Sequence, residues 1–169
     1  MASMDNQVAS EEFKMLTFSL DNVFYGVNVN QVREVKNFEG ATPVPCAPPY
    51  VKGVTNLRGE VVPVIDLRKR IGLNPRKEND PGIMMIIQDK HPTGVIIDSV
   101  IEVLTLQKKD IESAPESLIS GSSIGVIGIA KHDQDLIVLL DILKVLSTDA
   151  ANMKENIKGF QIQVQKTTT

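Results

Sequence analysis

The stretch Gly26-Val27-Asn28-Val29-Asn30-Gln31-Val32-Arg33-Glu34-Val35 has a counterpart later in the chain, Gly94-Val95-Ile96-Ile97-Asp98-Ser99-Val100-Ile101-Glu102-Val103. Aligned without a gap, the glycine, three valines and the glutamate coincide. A second pair agrees at a slightly longer offset. Val62-Pro63-Val64-Ile65-Asp66-Leu67-Arg68-Lys69-Arg70-Ile71 lies against Ile137-Val138-Leu139-Leu140-Asp141-Ile142-Leu143-Lys144-Val145-Leu146, with the apolar pattern, the aspartate and the lysine in common. Internal self-similarity of this kind means two related structural units, and loop insertions account for the change of offset.

Outward from these segments the signal is β. Phe13 to Leu20 alternates in part, Asp21-Asn22 makes a turn, and Val23 to Val29 returns as a second strand. Asn30 to Val35 is expected to form a short helix. Pro43, Pro45, Pro48 and Pro49 exclude a regular helix or central strand in the stretch that follows. Gly53 to Leu57 and Val61 to Leu67 flank Arg58-Gly59, a hairpin turn, and Arg68 to Leu73 reads as one helical turn closed by Gly72 and Pro75. Ile83 to Gln88 is an apolar strand, and Val95 to Leu106 is extended or briefly helical. Ile124 to Ala130 and Leu136 to Leu140 flank a polar turn, and Asp141 is an N-cap for a short helix to Leu146. Short strands separated by turn signals point to small barrels. The expected fold is mostly β, with two packed five-stranded β-barrels and a few short helices. A flexible leader covers residues 1–12, one domain of two related subdomains covers 13–149 (repeats near 13–75 and 83–146, with strands open to exchange between barrels), and residues 150–169 form a tail.

Composition narrows the function. The chain has 169 residues, 42% hydrophobic and 23% charged, which is globular. A formal charge of −3 and the absence of a basic cluster argue against general nucleic-acid binding, which needs cations for phosphates. The polar, acidic start lacks the pattern of a signal peptide, and no run approaches the roughly 20 apolar residues that span a bilayer, so direct membrane insertion is not expected. The single cysteine cannot form an internal disulfide. The cytoplasm is the expected location.

Few residues invite chemistry. Catalysis needs a nucleophile, base or metal within reach of partners. His91 and His132 fall in polar turns and read as solvated residues. Cys46, between Pro45 and Ala47, reads as a small apolar residue. His132, Asp133 and Asp135 do not have metal-ligand spacing. Gly121-Ser122-Ser123-Ile124-Gly125 lacks the lysine and helix of a phosphate loop. Asp66 and Asp141, at matching strand ends, suggest helix capping rather than an acid/base pair. No catalytic residue, metal or cofactor is expected. Arg58, at the tip of the Lys52–Glu60 hairpin, has the planar donors and apolar stem of a good interface anchor, although a lone surface arginine is usually only solubilising.

Val51 through Arg68, with Gly53-Val54-Thr55-Asn56-Leu57-Arg58-Gly59-Glu60 at its centre, resembles the signature segment of the CheW family of chemotaxis coupling proteins. Tyr25 through Val35 and Gly94 through Val100 resemble its other conserved stretches, so the likeness runs from about Phe13 to Leu146. The resemblance implies two packed five-stranded barrels, each SH3-like. It implies a non-catalytic adaptor that joins the cytoplasmic tip of a methyl-accepting chemoreceptor to the regulatory domain of the histidine autokinase CheA, at membrane-associated receptor arrays. It places receptor contacts on Val32, Glu34, Gly53 and Arg58, with Asn56 and Leu57 as neighbours, and assigns no kinase-contact residues. Two other readings stand beside it. One is a CheW-like domain of a larger protein, either the kinase or a receiver-fused coupling protein; the start of the chain and the lack of a receiver pattern favour a separate adaptor. The other is a small ligand-binding or hydrolytic barrel built on His132, Asp133 and Asp135.

Overall fold

The structure, a computed structural model, describes residues 11–77, 80–113 and 125–147. The strands are β1 (Glu12–Leu20), β2 (Val23–Asn28), β3 (Val32–Asn37), β4 (Val51–Leu57), β5 (Glu60–Asp66), β6 (Ile83–Ile87), β7 (Thr93–Ile97), β8 (Ser99–Gln107), β9 (Ile111–Ser113), β10 (Val126–His132) and β11 (Asp135–Leu140). Among the described residues, helix is limited to two single 3-10 turns (Val29–Gln31 and Lys108–Asp110), a one-turn α1 (Leu67–Arg70) and a short α2 at residues 142–147. The expected tail, most of the leader and the 121–124 loop lie outside the described residues.

Two sheets result. One has the order β3-β6-β7-β5-β4 and the other β8-β1-β2-β11-β10-β9. Each draws strands from both halves of the chain. The matched segments nevertheless occupy corresponding places. Each sheet contains one parallel pair, Val64 opposite Gly94 in the first and Leu139 opposite Gly26 in the second. These two glycines are the first residues of the repeat, and at both a side chain would force a neighbour to shift. A Cβ on Gly94 would lie 2.7 Å from the Met84 sulfur, and one on Gly26 would lie 3.0 Å from Leu139 Cδ2. Asp66 accepts from Lys69 N at 3.5 Å at the start of α1, and Asp141 accepts from Lys144 N at 3.3 Å at the start of α2. Both aspartates are caps, as their matching positions suggested.

The second sheet has one strand more than the five expected. In the first sheet Thr42 meets the β4 edge as a single bridge to Val54. At the corresponding edge of the second, the contact extends to the three-residue strand β9 beside β10. The helix expected over Asn30 to Val35 is not formed. Asn28 caps only the 3-10 turn, and Val32–Asn37 then pairs with β6, because an extended chain here completes a ladder that a helix would leave open. The span from Val95 to Leu106 is likewise strand without helix, apart from the break at Asp98.

Burial explains the apolar runs. One core lies within the first sheet (Leu57, Val62, Val64, Met84, Ile86, Ile96) and another within the second (Met15, Leu104, Leu106, Ala130, Ile137, Leu139). The largest lies between them, with Leu16, Phe18, Tyr25 and Val27 from one side meeting Ile65, Met85, Val95 and Ile97 from the other. Strand β6, Ile-Met-Met-Ile-Ile, shows the logic. Met84 and Ile86 point into their own barrel, while Met85 and Ile87 point across the seam. A strand buried on both faces has no polar phase, so alternation disappears.

A polar clamp closes one end of this seam. Asp98, at the β7–β8 break, accepts from Arg68 of α1 and from Arg76 Nη2 at 2.6 Å. Its other partner is the backbone N–H of Asp21 in the β1–β2 turn, at 2.9 Å. Partial burial works to raise the Asp98 pKa, but the two guanidiniums and the Asp21 N–H outweigh it and hold the carboxyl at about 2. A carboxylate with a depressed folded-state pKa stabilises the fold above its unfolded value near 3.8 and loses that contribution as pH falls towards about 2. Asp98→Asn should therefore cost about 2–4 kcal/mol at neutral pH, by leaving two arginines without their shared counterion. Urea unfolding at pH 7, 4 and 2.5 checks this, and the gap between wild type and variant should narrow over the acid interval.

Candidate interaction site

The hairpin between β4 and β5 turns in two residues, with Leu57 opposite Glu60. Arg58 and Gly59 both have positive φ, 52° and 86°. That is the twist a two-residue hairpin needs, and it costs little at Gly59 but something at Arg58. Asn56 offsets the cost by accepting from Gly59 N through Oδ1 at 2.8 Å. The turn is thus tied across its base, and Arg58 projects from it with a side chain 67% exposed.

Arg58 Nη1 lies 2.8 Å from Glu34 Oε2. Glu34 is on β3, and β3 and β4 are the two outer strands of the first sheet. The ion pair therefore spans the open side of that barrel. The pair is only half in water, the Glu34 side chain being 23% exposed, and it acts at the far end of a long side chain, so it does not by itself fix the backbone of the hairpin. The turn positions the arginine, and the pair follows.

The residues placed at the site from sequence separate into two groups. Glu34, Asn56 and Arg58 converge on one surface. Leu57 is buried in the core of the first sheet, and Val32, at the start of β3, is half-buried and packs against the seam. Gly53 is also buried, and its reason for being glycine is internal. It has a φ of 145° at a β-bulge, and a Cβ there would lie 2.1 Å from Thr42 O. The glycine is thus required by the fold itself and not by the close approach of a partner. One exposed apolar side chain beside Asn56 was not singled out from sequence: Val61, its ladder partner on β5. The signal for Val61 was its outward phase on β5, next to buried Val62. A groove of about 560 Å³ runs beside the hairpin, lined among others by Glu39, Ala41, Thr42, Val54, Asn56 and Val61.

The second sheet repeats the shape of this site without its charges. Its β10–β11 hairpin puts Asp133, with φ 54°, where the first sheet has Arg58. Glu102 stands at the repeat position of Glu34. Two acids cannot pair, so the arginine–glutamate site occurs on one barrel of the two.

The remaining candidates stay apart from any reactive arrangement. His132 Nε2 is 3.7 Å from Asp133 Oδ2 at a hairpin end, and Asp135 is the ladder partner of His132. The hollow beside His132 and Asp135 has a volume of about 60 Å³, far below the several hundred Å³ that encloses a small-molecule substrate. His91 is exposed in a turn. Cys46, read as a small apolar residue, is an exposed turn residue with φ 63°, set there by the surrounding prolines. Among the described residues no group of three or more His, Cys, Asp or Glu side chains could hold a metal ion. No helix among them is long and apolar enough to cross a membrane.

The Gly53 geometry sets a stability test. Gly53→Ala should destabilise the fold by about 2–4 kcal/mol, through backbone strain and the clash with Thr42. Thermal and urea melts measure this, and any loss of binding by that variant should track its unfolded fraction.

Comparison with known proteins agrees with this picture. The CheW-like domain matches residues 14–150. The chemotaxis protein CheW of Bacillus subtilis is 34% identical over 139 residues, covering 82% of this chain and 89% of that protein. CheW of Treponema pallidum is 29% identical over 155 residues, covering 89% and 91%. CheV3 of Helicobacter pylori is 32% identical over 146 residues but is covered over only 46% of its length. The crystal structure of the scaffolding protein TtCheW from Thermoanaerobacter tengcongensis superposes with a TM-score of 0.70 at 33% identity, covering 76% of this chain and 88% of that one. With its two sheets built from exchanged strands and its domain match spanning nearly the whole described region, the chain belongs to the CheW-like family.

Proposed function

We propose that this protein is a non-catalytic adaptor that couples the cytoplasmic tip of a chemoreceptor to the regulatory domain of the histidine kinase CheA, in the cytoplasm at receptor arrays. Its place among CheW-type chemotaxis scaffolding proteins supports the class of function. The observation that carries the finer reading is the Arg58–Glu34 pair on a tied hairpin, beside a groove of mixed polarity and on only one of two related barrels. An arginine held by its backbone loses little freedom on binding, so its donors and stem are ready for a partner. A receptor tip is a helical bundle, and one helix laid against exposed Val61, with Arg58 at the edge, is a natural geometry for such a contact.

Glu34, Asn56 and Arg58 are the residues that this reading puts against or beside the receptor. Val32, Gly53 and Leu57 support the surface from beneath. The hydrolytic alternative finds no support at His132, Asp133 and Asp135, where the hollow is too small for a substrate.

Arg58→Ala should weaken binding of a receptor-tip fragment by about 1–3 kcal/mol while binding of the kinase regulatory domain is kept, because one adaptor holding two partners needs separate surfaces. Calorimetric titration against each partner, with melts to confirm the fold, is the test. Equal loss towards both partners, or none towards the receptor, contradicts the assignment. His91→Ala, His132→Ala and Cys46→Ser should leave both affinities and the kinase activation unchanged.

A further inference from the structure

Asn56 stands beside Arg58 in the site, but the geometry gives it a different task. Its Oδ1 accepts from Gly59 N at 2.8 Å, on the far side of the arginine in the turn. In a two-residue hairpin the outer residues, here Leu57 and Glu60, make the ladder contacts. The N–H of Gly59 falls outside that ladder and would otherwise face water. Asn56 captures it and thereby fixes the peptide that follows Arg58. Arg58 is a non-glycine residue at φ 52°, a conformation that other side chains leave readily unless something holds it. The pair to Glu34 acts at the guanidinium end and does not restrain the Arg58 backbone directly. Beside the Leu57–Glu60 ladder that closes the turn, Leu57, anchored in the core, and Asn56, bonded across the turn, restrain it.

We infer that Asn56 is a positioning residue for Arg58 and not itself a partner contact: it sets the direction of the guanidinium, so the receptor reads Asn56 only through the arginine. This rests on the proposed receptor role of Arg58. It separates two residues that lie side by side on the same surface and would otherwise both count as contacts.

The test is a double-mutant cycle on the intact chain, titrated against a helical-hairpin fragment of a chemoreceptor cytoplasmic tip. Asn56→Ala should weaken binding about 3–10-fold while the chain stays fully folded at the titration temperature, as its melting profile checks. Asn56→Asp keeps the acceptor oxygen at the same place and should bind within about twofold of wild type. In an Arg58→Ala background, Asn56→Ala should add less than a twofold loss, because the group it positions is gone. Full additivity in the double variant would show that Asn56 touches the partner directly, and would overturn the inference. So would wild-type affinity in Asn56→Ala alongside a clear loss in Arg58→Ala. No loss in Arg58→Ala overturns the receptor assignment itself, and the positioning role with it, which distinguishes the two failures.

Discussion

The structure depends on the apolar seam between its two sheets. Strands β1, β2, β5, β6 and β7 are covered on both faces, by their own barrel on one side and by the other barrel on the opposite side. A barrel built from five short strands has a small interior, and a small domain buries too little surface to be comfortably stable alone. Sharing a face gives both units one large core. It also dictates the glycines. Gly26 and Gly94 lie in the parallel pairs where a Cβ would crowd Leu139 and Met84 respectively, and each begins one copy of the repeat.

The polar clamp at Asp98 adds direction to a seam that hydrophobic burial leaves non-directional. It joins the β1–β2 turn, the β7–β8 break, α1 and the loop that carries Arg76, and so ties elements of both sheets to one carboxylate. With the barrels fixed against each other, the β4–β5 hairpin has a rigid base. Leu57 is sunk into the core one residue before Arg58, and Gly53 is locked against Thr42 four residues before Leu57. On the proposed reading, function on this scaffold is a matter of what the exposed tip carries. The two barrels offer the same hairpin, and the chemistry of Arg58 with Glu34 against that of Asp133 with Glu102 makes them different.

Much of this was legible in the chain itself. The repeat, read from Gly26 and Gly94 and from Asp66 and Asp141, marks residues that occupy corresponding places, because steric glycines and helix caps leave identities in the sequence. The turns at Asp21-Asn22 and Arg58-Gly59 were visible for the same reason, since positive φ restricts residue choice. What was not legible was partnership at a distance. The strand from Val32 to Asn37 reads locally as a possible helix, and only β6, far along the chain, makes it extended. The Asp98 clamp gathers Asp21, Arg68 and Arg76, whose spacing carries no signal. The burial of Gly53 and Leu57 depends on Thr42 and on the first-sheet core, so sequence could place them in a motif but could not say that they face inward.

The central claim is that a partner meets this protein at the tip of one barrel. Backbone amide chemical-shift mapping of the labelled chain, titrated with a receptor-tip fragment, tests it most directly. The account predicts perturbations concentrated on residues 32–36 and 54–61, with the corresponding hairpin at residues 131–136 unaffected. Perturbations centred on residues 131–136 instead, with 54–61 unmoved, would contradict it.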